Sequence, residues 1–223
     1  MILGAIEAAT AAGREGIVFV GFDAVDDAVA AVNAGTLAAT VAQQPALMGD
    51  LGVKTAVAFL NGETVEASIP VGLRLVQKLT LGLSLSTLNN PFFVTLRDGA
   101  QAAADELGTV TLVVVDSQDD PATEAANMQD LIAQGVDAIL VNPTDADAIV
   151  PSILAANEAG IPVFTIDRGA NGGEVVSHIA SDNVAGGSMA GWFLCNALGG
   201  TGKVVELEGI AGTSAARDRG AGF

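Results

Sequence analysis

The chain has 223 residues, in which 9 Lys+Arg stand against 26 Asp+Glu, so its formal net charge is -17. This charge argues against binding to nucleic acid or to an anionic membrane surface, because both depend on basic side chains that neutralise phosphates. With 1 Cys and 1 His the chain builds neither a disulfide framework nor a zinc cluster, whereas 50% hydrophobic residues support a folded core.

In chain order, short β-branched runs alternate with Ala-rich amphipathic stretches. The runs are apolar on both faces, which is typical of a parallel sheet covered by helices, and their alternation with helices predicts an α/β, doubly wound architecture. Strands are predicted at 17–22, 37–43, 79–86, 110–117, 136–142, 161–167, 175–181 and 203–209, and helices at 1–12, 24–34, 45–61, 91–107, 121–134, 145–159, 183–198 and from 213.

The N-terminal residues do not show the pattern expected of a targeting segment. No apolar run reaches the roughly 18 residues of a membrane helix, and residues 1–16 lack the basic n-region of a signal peptide. We therefore expect neither membrane insertion nor a signal peptide. Both ends read as interrupted helices, which indicates a chain cut or re-joined from something longer.

Several motifs that resemble catalytic sites are weak. The glycines of 198–204 follow a helix and precede a strand, which is the wrong order for a phosphate loop, and 186–190 lacks the closing Gly of a nucleophile elbow. We expect His178 to be a structural histidine and Cys195 to be a small core residue. No catalytic residue, metal ligand or cofactor is assigned, and an enzyme on this fold is the weakest hypothesis.

Polar side chains follow the strands directly, where an open α/β sheet binds ligands. Amides, carboxylates and guanidiniums next to two phenylalanines suit a neutral polyhydroxylated ligand, since each sugar hydroxyl both donates and accepts. Structural roles remain open: a helix start for Asn90, core packing for the phenylalanines and a surface pair for Asp167 with Arg168. The positions are Ser86, Asn90, Phe92, Phe93, Asp167, Arg168, Asp23, Gln43, Arg217 and Arg219.

Five stretches of the sequence resemble the bacterial periplasmic ribose-binding proteins, the sugar-binding components of ATP-driven importers. The stretches are STLNNPFF (86–93), 116–148, TIDRGANGGEVVSHIASDN (165–183), 206–223 and 20–45. The resemblance implies a type I periplasmic-binding-protein-like fold with two doubly wound parallel-sheet lobes. A sugar, most simply D-ribose or a related monosaccharide, would be bound in the cleft between them.

Site residues are carried over from this resemblance by position. Ser86, Asn90, Phe92, Phe93, Asp167, Arg168, Arg219, Asp23 and Gln43 would contact the sugar. The resemblance also implies a membrane permease and ATPase as partners, a chemoreceptor for some members, and the periplasm as the compartment. A second ring-stacking aromatic residue and one Asn of the family's site have no counterpart here.

The order of the segments is not that of the family. The resemblance implies a circular permutation joined at Lys78–Leu79, with roughly 45–50 family residues absent between Phe223 and Met1. The first lobe would comprise 44–72 and 79–181 and be complete. The second lobe would comprise 1–43 and 182–223 and be incomplete, with 73–78 as a hinge or junction segment.

Two further functions stay open. One is a truncated or engineered scaffold with impaired or no sugar binding. The other is the effector-binding core of a LacI-type transcription regulator, which the net charge and the lack of a helix-turn-helix arm oppose.

Overall fold

The computed structural model describes all 223 residues, and the chain divides into two compact units, Met1–Lys78 (unit 1) and Leu79–Phe223 (unit 2). The predicted lobes have other bounds, since each of them takes residues from both units, and they stay a prediction.

Unit 1 carries a three-stranded sheet of order β1-β2-β3. Strands β1 and β2 are parallel, and β3 runs antiparallel to β2. The small core consists of Ala28, Val32 and Leu37, covered by Ile2 and Ile6 of the first helix. The elements are α1 (Ile2–Ala11), β1 (Val20–Phe22), α2 (Asp26–Asn33), β2 (Ala39–Ala42), α3 (Pro45–Leu60) and β3 (Arg74–Gln77).

Unit 2 is a five-stranded sheet of order β5-β4-β6-β7-β8 in which every neighbouring pair is parallel. The chain leaves β4 for β5 on one side and then passes to β6 on the other, so a topological switch point lies at the carboxyl ends of β4 and β6. The elements are β4 (Leu79–Leu85), α4 (Pro91–Leu107), β5 (Val110–Asp116), α5 (Pro121–Gln134), β6 (Ala138–Val141), α6 (Val150–Glu158), β7 (Val163–Ile166), β8 (Ser177–Ile179), α7 (Asn183–Ala197) and α8 (Ser214–Gly222). The predicted α/β class with parallel sheets is confirmed.

Local sequence explains how the helices of unit 2 begin and end. Asn90 and Asp120 cap α4 and α5 through their side-chain oxygens, and each is followed by a proline, whose fixed φ suits the first helical position. Gly108 and Gly135 end the same helices in the left-handed conformation, which costs glycine little.

The side-chain alternation of β4 is explained by the helix above it. Leu83 and Leu85 are fully buried on one face, while the small residue Gly82 faces Leu131 of α5. A Cβ at Gly82 would lie 2.8 Å from a Leu131 methyl carbon, so the missing side chain allows α5 to approach the sheet. Leu131 belongs to the main core of unit 2, together with Met128, Ile139, Val141, Ile153 and Val163.

Two expectations about individual elements are wrong. The predicted strand at 203–209 is absent, because no neighbouring strand offers it hydrogen bonds, and Leu207 is 93% exposed. Cys195 is exposed rather than in the core, and Trp192 on the same helix is 69% exposed. The predicted hinge or junction segment at 73–78 contains the strand β3, which pairs with β2, and its role as a hinge stays a prediction.

No helix of the chain combines the length and apolarity needed to traverse a bilayer. No group of three or more His, Cys, Asp or Glu side chains is placed to hold a metal ion.

Candidate ligand-binding site

Six of the nine predicted site residues line one cleft in unit 2. The cleft has a volume of about 430 Å³, within the usual range for small-molecule sites. The segment 206–210 and the start of α8 form its other wall. The six residues are Asn90, Phe92, Phe93, Asp167, Arg168 and Arg219.

The first turn of α4 supplies the aromatic side of the cleft. Asn90 accepts a hydrogen bond from the backbone N–H of Phe92 at 3.0 Å, which fixes the helix start. Phe92 is 54% exposed, whereas Phe93 is 3% exposed, and the two rings meet edge to face at 5.2 Å between centroids. Phe92 is therefore the ring that can stack on a ligand, and Phe93 serves as a buried support.

A tight turn after β7 presents Asp167 and Arg168. Asp167 has a φ of 62°, in the left-handed region that Asp tolerates better than most residues, and the Arg168 N–H donates to the Ile166 carbonyl at 2.7 Å. The Arg168 guanidinium donates to the Pro143 carbonyl at 3.2 Å and stacks over Phe93, 5.1 Å from the ring centre. Both residues are less than one-tenth exposed, so they form a rigid part of the cleft wall rather than a surface pair.

Helix α8 brings Arg219 to the cleft and is tied to the same turn. Ser214 accepts a hydrogen bond from the Gly169 N–H at 2.7 Å, and the Arg219 Nε donates to Asn183 at 2.8 Å. These two bonds join α8 to the Asp167–Arg168 turn and to α7, so the second guanidinium is held by its own partners.

Ser86 lies behind the cleft rather than in its lining. It is fully buried, and its hydroxyl donates to Asn142 at 2.7 Å. The Asn142 amide in turn donates to the Ile166 carbonyl at 3.0 Å and lies 3.5 Å from the Asp167 carboxylate. Ser86 therefore acts on Asp167 through Asn142 at the switch point of the sheet.

The sequence reasoning missed Asn142, Ser214 and Glu124 as residues that support the cleft. Asn142 follows β6 directly, so the rule that selected the other strand-end residues would have found it. Glu124 lies in the first turn of α5, where an acidic residue is ordinary, so its position gives no such signal.

Asp23 and Gln43 lie in unit 1, where the Gln43 side-chain amide donates to the Asp23 carboxylate. They follow β1 and β2, which are neighbouring parallel strands. Asp23 has a φ of 81°, a left-handed conformation like that of Asp167. The structure therefore places Asp23 and Gln43 in direct contact with each other within unit 1.

Burial and charge shape the electrostatics of the cleft. Burial lowers the pKa of Arg168, against the opposing effect of the Asp167, Asp119 and Glu124 carboxylates. Burial raises the pKa of Glu124 to about 7, against the effect of its hydrogen bonds to Thr144 and of the Arg168 charge.

His178, expected to be structural, is exposed, and its Nδ1 is hydrogen-bonded to the Thr165 hydroxyl at 2.8 Å. This hydrogen bond links the neighbouring strands β7 and β8. His178 does not line the cleft.

A cleft with two guanidiniums, an aspartate, an amide and an open aromatic ring provides donors and acceptors on several sides of one small polar molecule. The fold and the site thus define an α/β protein of the kind that binds small molecules beyond the carboxyl ends of its strands. The family described as periplasmic binding protein domain matches residues 1–64 and 81–223, and the chain belongs to that family.

Two curated relatives are named ribose import binding protein RbsB. The protein of Haemophilus influenzae is 60% identical over 144 residues, covering 65% of this chain and 49% of the relative. The protein of Escherichia coli is 57% identical over 159 residues, covering 71% of this chain and 53% of the relative. The chain spans about half the length of the curated relatives it matches.

Among solved structures, an ABC transporter solute binding protein from Mycobacterium smegmatis with bound glycerol matches with a TM-score of 0.62 and 38% identity. This match covers 65% of this chain and 50% of the other.

Proposed function

We propose that the chain binds a monosaccharide, D-ribose or a close relative, in the cleft of unit 2 and performs no catalysis. The observation that carries this proposal is the convergence of Asn90, Phe92, Asp167, Arg168 and Arg219 on one cleft. Guanidinium and carboxylate groups can grip neighbouring hydroxyls, and an open aromatic ring can cover the C–H face of a sugar. The names of the RbsB relatives support ribose as the sugar.

The proposed biological role follows the family. The chain, or the protein it derives from, would work in the periplasm as the receptor of an ATP-driven importer, delivering sugar to a permease and ATPase. A chemoreceptor is a further proposed partner.

We also propose the permuted order of segments, with the junction at Lys78–Leu79. The family match leaves residues 65–80, which contain this junction, outside it, as expected for a join. The assignment of 44–72 with 79–181 to one lobe and of 1–43 with 182–223 to the other belongs to the same proposal.

Isothermal titration of the full chain with D-ribose, with D-glucose as the control sugar, tests the function. We expect a Kd in the micromolar range or below for ribose, and much weaker binding of glucose. Asp167→Ala and Arg168→Ala should each abolish the heat signal, while Arg97→Ala, an arginine of α4 outside the cleft lining, should keep it. Unchanged affinity in either cleft variant would overturn the site assignment.

The second candidate is a chain that folds without binding sugar. It is favoured by the segment 203–209, which lines the cleft at Leu207 yet forms no strand. No heat with ribose, from a sample whose circular dichroism shows an α/β fold, would decide for this candidate.

A further inference from the structure

Glu124 is a buried carboxyl group outside the lining of the cleft. It lies one turn into α5 and is 1% exposed. All of its side-chain hydrogen bonds go to Thr144, whose backbone N–H donates to the two carboxyl oxygens at 3.0 and 3.2 Å, and whose hydroxyl donates at 2.8 Å. A single side chain, Glu124, thus holds Thr144, two residues after Asn142 in the loop that follows β6.

The clamped loop also holds a cleft residue. Thr144 follows Pro143, and the Pro143 carbonyl accepts the 3.2 Å hydrogen bond from the Arg168 guanidinium. Pro143 and Thr144 are both buried, so the peptide between them has little freedom to adjust. A change at Glu124 therefore reaches the Arg168 guanidinium through two consecutive residues.

Charge couples the same two groups directly. The charged groups that act on the Glu124 carboxyl are Arg168, which favours its ionised form, and Asp145, which opposes it. The charges of Asp167 and Asp119 favour the charged form of Arg168, and the charge of Arg219 opposes it. An ionised Glu124 thus adds a negative charge behind the guanidinium and accepts stronger, charge-assisted bonds from Thr144.

We propose that Glu124 is a positioning residue for sugar binding, whose ionised carboxylate holds the Arg168 guanidinium in place through Thr144 and Pro143. This inference rests on the function proposed above. Protonation of Glu124 removes the charge-assisted bonds and the attraction to Arg168, and because burial raises its pKa to about 7, the change falls near neutrality. Sugar affinity should accordingly weaken as the pH falls.

The test is the Kd for D-ribose, measured by titration calorimetry with the full chain between about pH 5.5 and pH 8. For the wild type we expect binding about five- to tenfold weaker at the acidic end. Glu124→Gln keeps the shape but not the charge, so its affinity should match the acidic wild type and stay flat across the range. Glu158→Gln, an exposed glutamate of α6, is the matched control and should follow the wild type.

A second variant distinguishes positioning from general support. Thr144→Val removes one hydrogen bond that stabilises the carboxylate, so the midpoint of the affinity profile should move to higher pH. His178→Gln removes the chain's only imidazole, which does not line the cleft, and should leave the slope intact.

The outcomes separate the two proposals. A wild type that binds ribose with the same affinity at all pH values, or a Glu124→Gln variant that retains the slope, overturns the role of Glu124 and leaves the binding function standing. A folded wild type that binds no ribose even at about pH 8 overturns both. If Glu124→Gln fails to fold, the wild-type slope and the midpoint of Thr144→Val decide.

Discussion

The buried Glu124 makes a quantitative prediction about stability that is independent of any ligand. Its carboxyl has an ordinary pKa of 4.5 and a pKa of about 7 in the folded chain, chiefly because burial disfavours the charged form. The folded state therefore binds this proton more tightly than the unfolded state does. The stabilising contribution is fully present below pH 4.5 and is lost as the pH rises to about 7.

The size of this contribution follows from the same two values. A tenfold change in a proton dissociation constant is about 1.4 kcal/mol, so the change from 4.5 to about 7 corresponds to about 3 kcal/mol of unfolding free energy. Glu124→Gln cannot titrate at this position. The difference in unfolding free energy, wild type minus Glu124→Gln, should fall by about 2 to 3 kcal/mol between about pH 5 and pH 8.

Urea unfolding at several pH values measures this difference. Far-UV circular dichroism should follow the unfolding, because the chain's 1 Trp, Trp192, is 69% exposed and its fluorescence would change little. The Glu158→Gln control should give a difference that does not vary with pH, since this side chain is exposed. A wild-type minus Glu124→Gln difference that is constant, or that rises with pH, would refute the reasoning from burial.

Three further predictions concern packing and exposure in unit 2. A Cβ at Gly187 would overlap the Arg219 carbonyl oxygen, so Gly187→Ala should lower the free energy of urea unfolding by about 1–3 kcal/mol. A Cβ at Gly186 meets open space, so Gly186→Ala should leave this free energy unchanged or raise it by up to about 1 kcal/mol. Equal effects of the two variants would contradict the close approach of α7 and α8. Asn142→Ala should lower the unfolding free energy by about 1–3 kcal/mol and weaken ribose binding, because buried partners lose their hydrogen bonds; unchanged calorimetry and unfolding would refute its bridging role. Cys195 should react with a thiol reagent in the native chain as fast as in urea, and protection in the native state would show that its face of α7 is covered.

If the proposals hold, Glu124 combines two opposite effects. Its ionised form costs folding stability, since the charge is buried, yet that form holds the proposed ligand residue Arg168 most firmly. Stability and sugar affinity should therefore change in opposite directions with pH. Groups that serve binding commonly carry such a cost.

Most helix bounds of unit 2 could be predicted because their signals are local. Asn90 with Pro91 and Asp120 with Pro121 mark helix starts in the sequence, and the structure begins α4 and α5 at those prolines. The strands β4 and β5 were predicted to within one residue, because each short apolar run is bounded by turn residues and alternates with a helix of clear periodicity.

The segment 203–209 shows the limit of such signals. KVVELEG has the composition of a strand, but a strand exists only where a neighbour completes its hydrogen bonds, and none is placed beside it. The reverse holds for β3, where residues of weak pattern become a strand because β2 pairs with them. Cys195 shows the same limit for a helix. Its apolar helix face predicted burial, but burial depends on a packing partner that the local sequence does not specify.

By itself the sequence determined the α/β class, the order of helices and strands in unit 2, and the strand-end side chains Asp167, Arg168 and Asn90. These follow from periodicity and turn chemistry, which act over a few neighbouring residues. Only the tertiary structure decided that Ser86 lies behind the cleft and acts through Asn142, and that Glu124 supports Arg168 through Thr144 and Pro143. Those relations join residues far apart in the chain, and they depend on how the carboxyl ends of parallel strands converge, which no local pattern encodes.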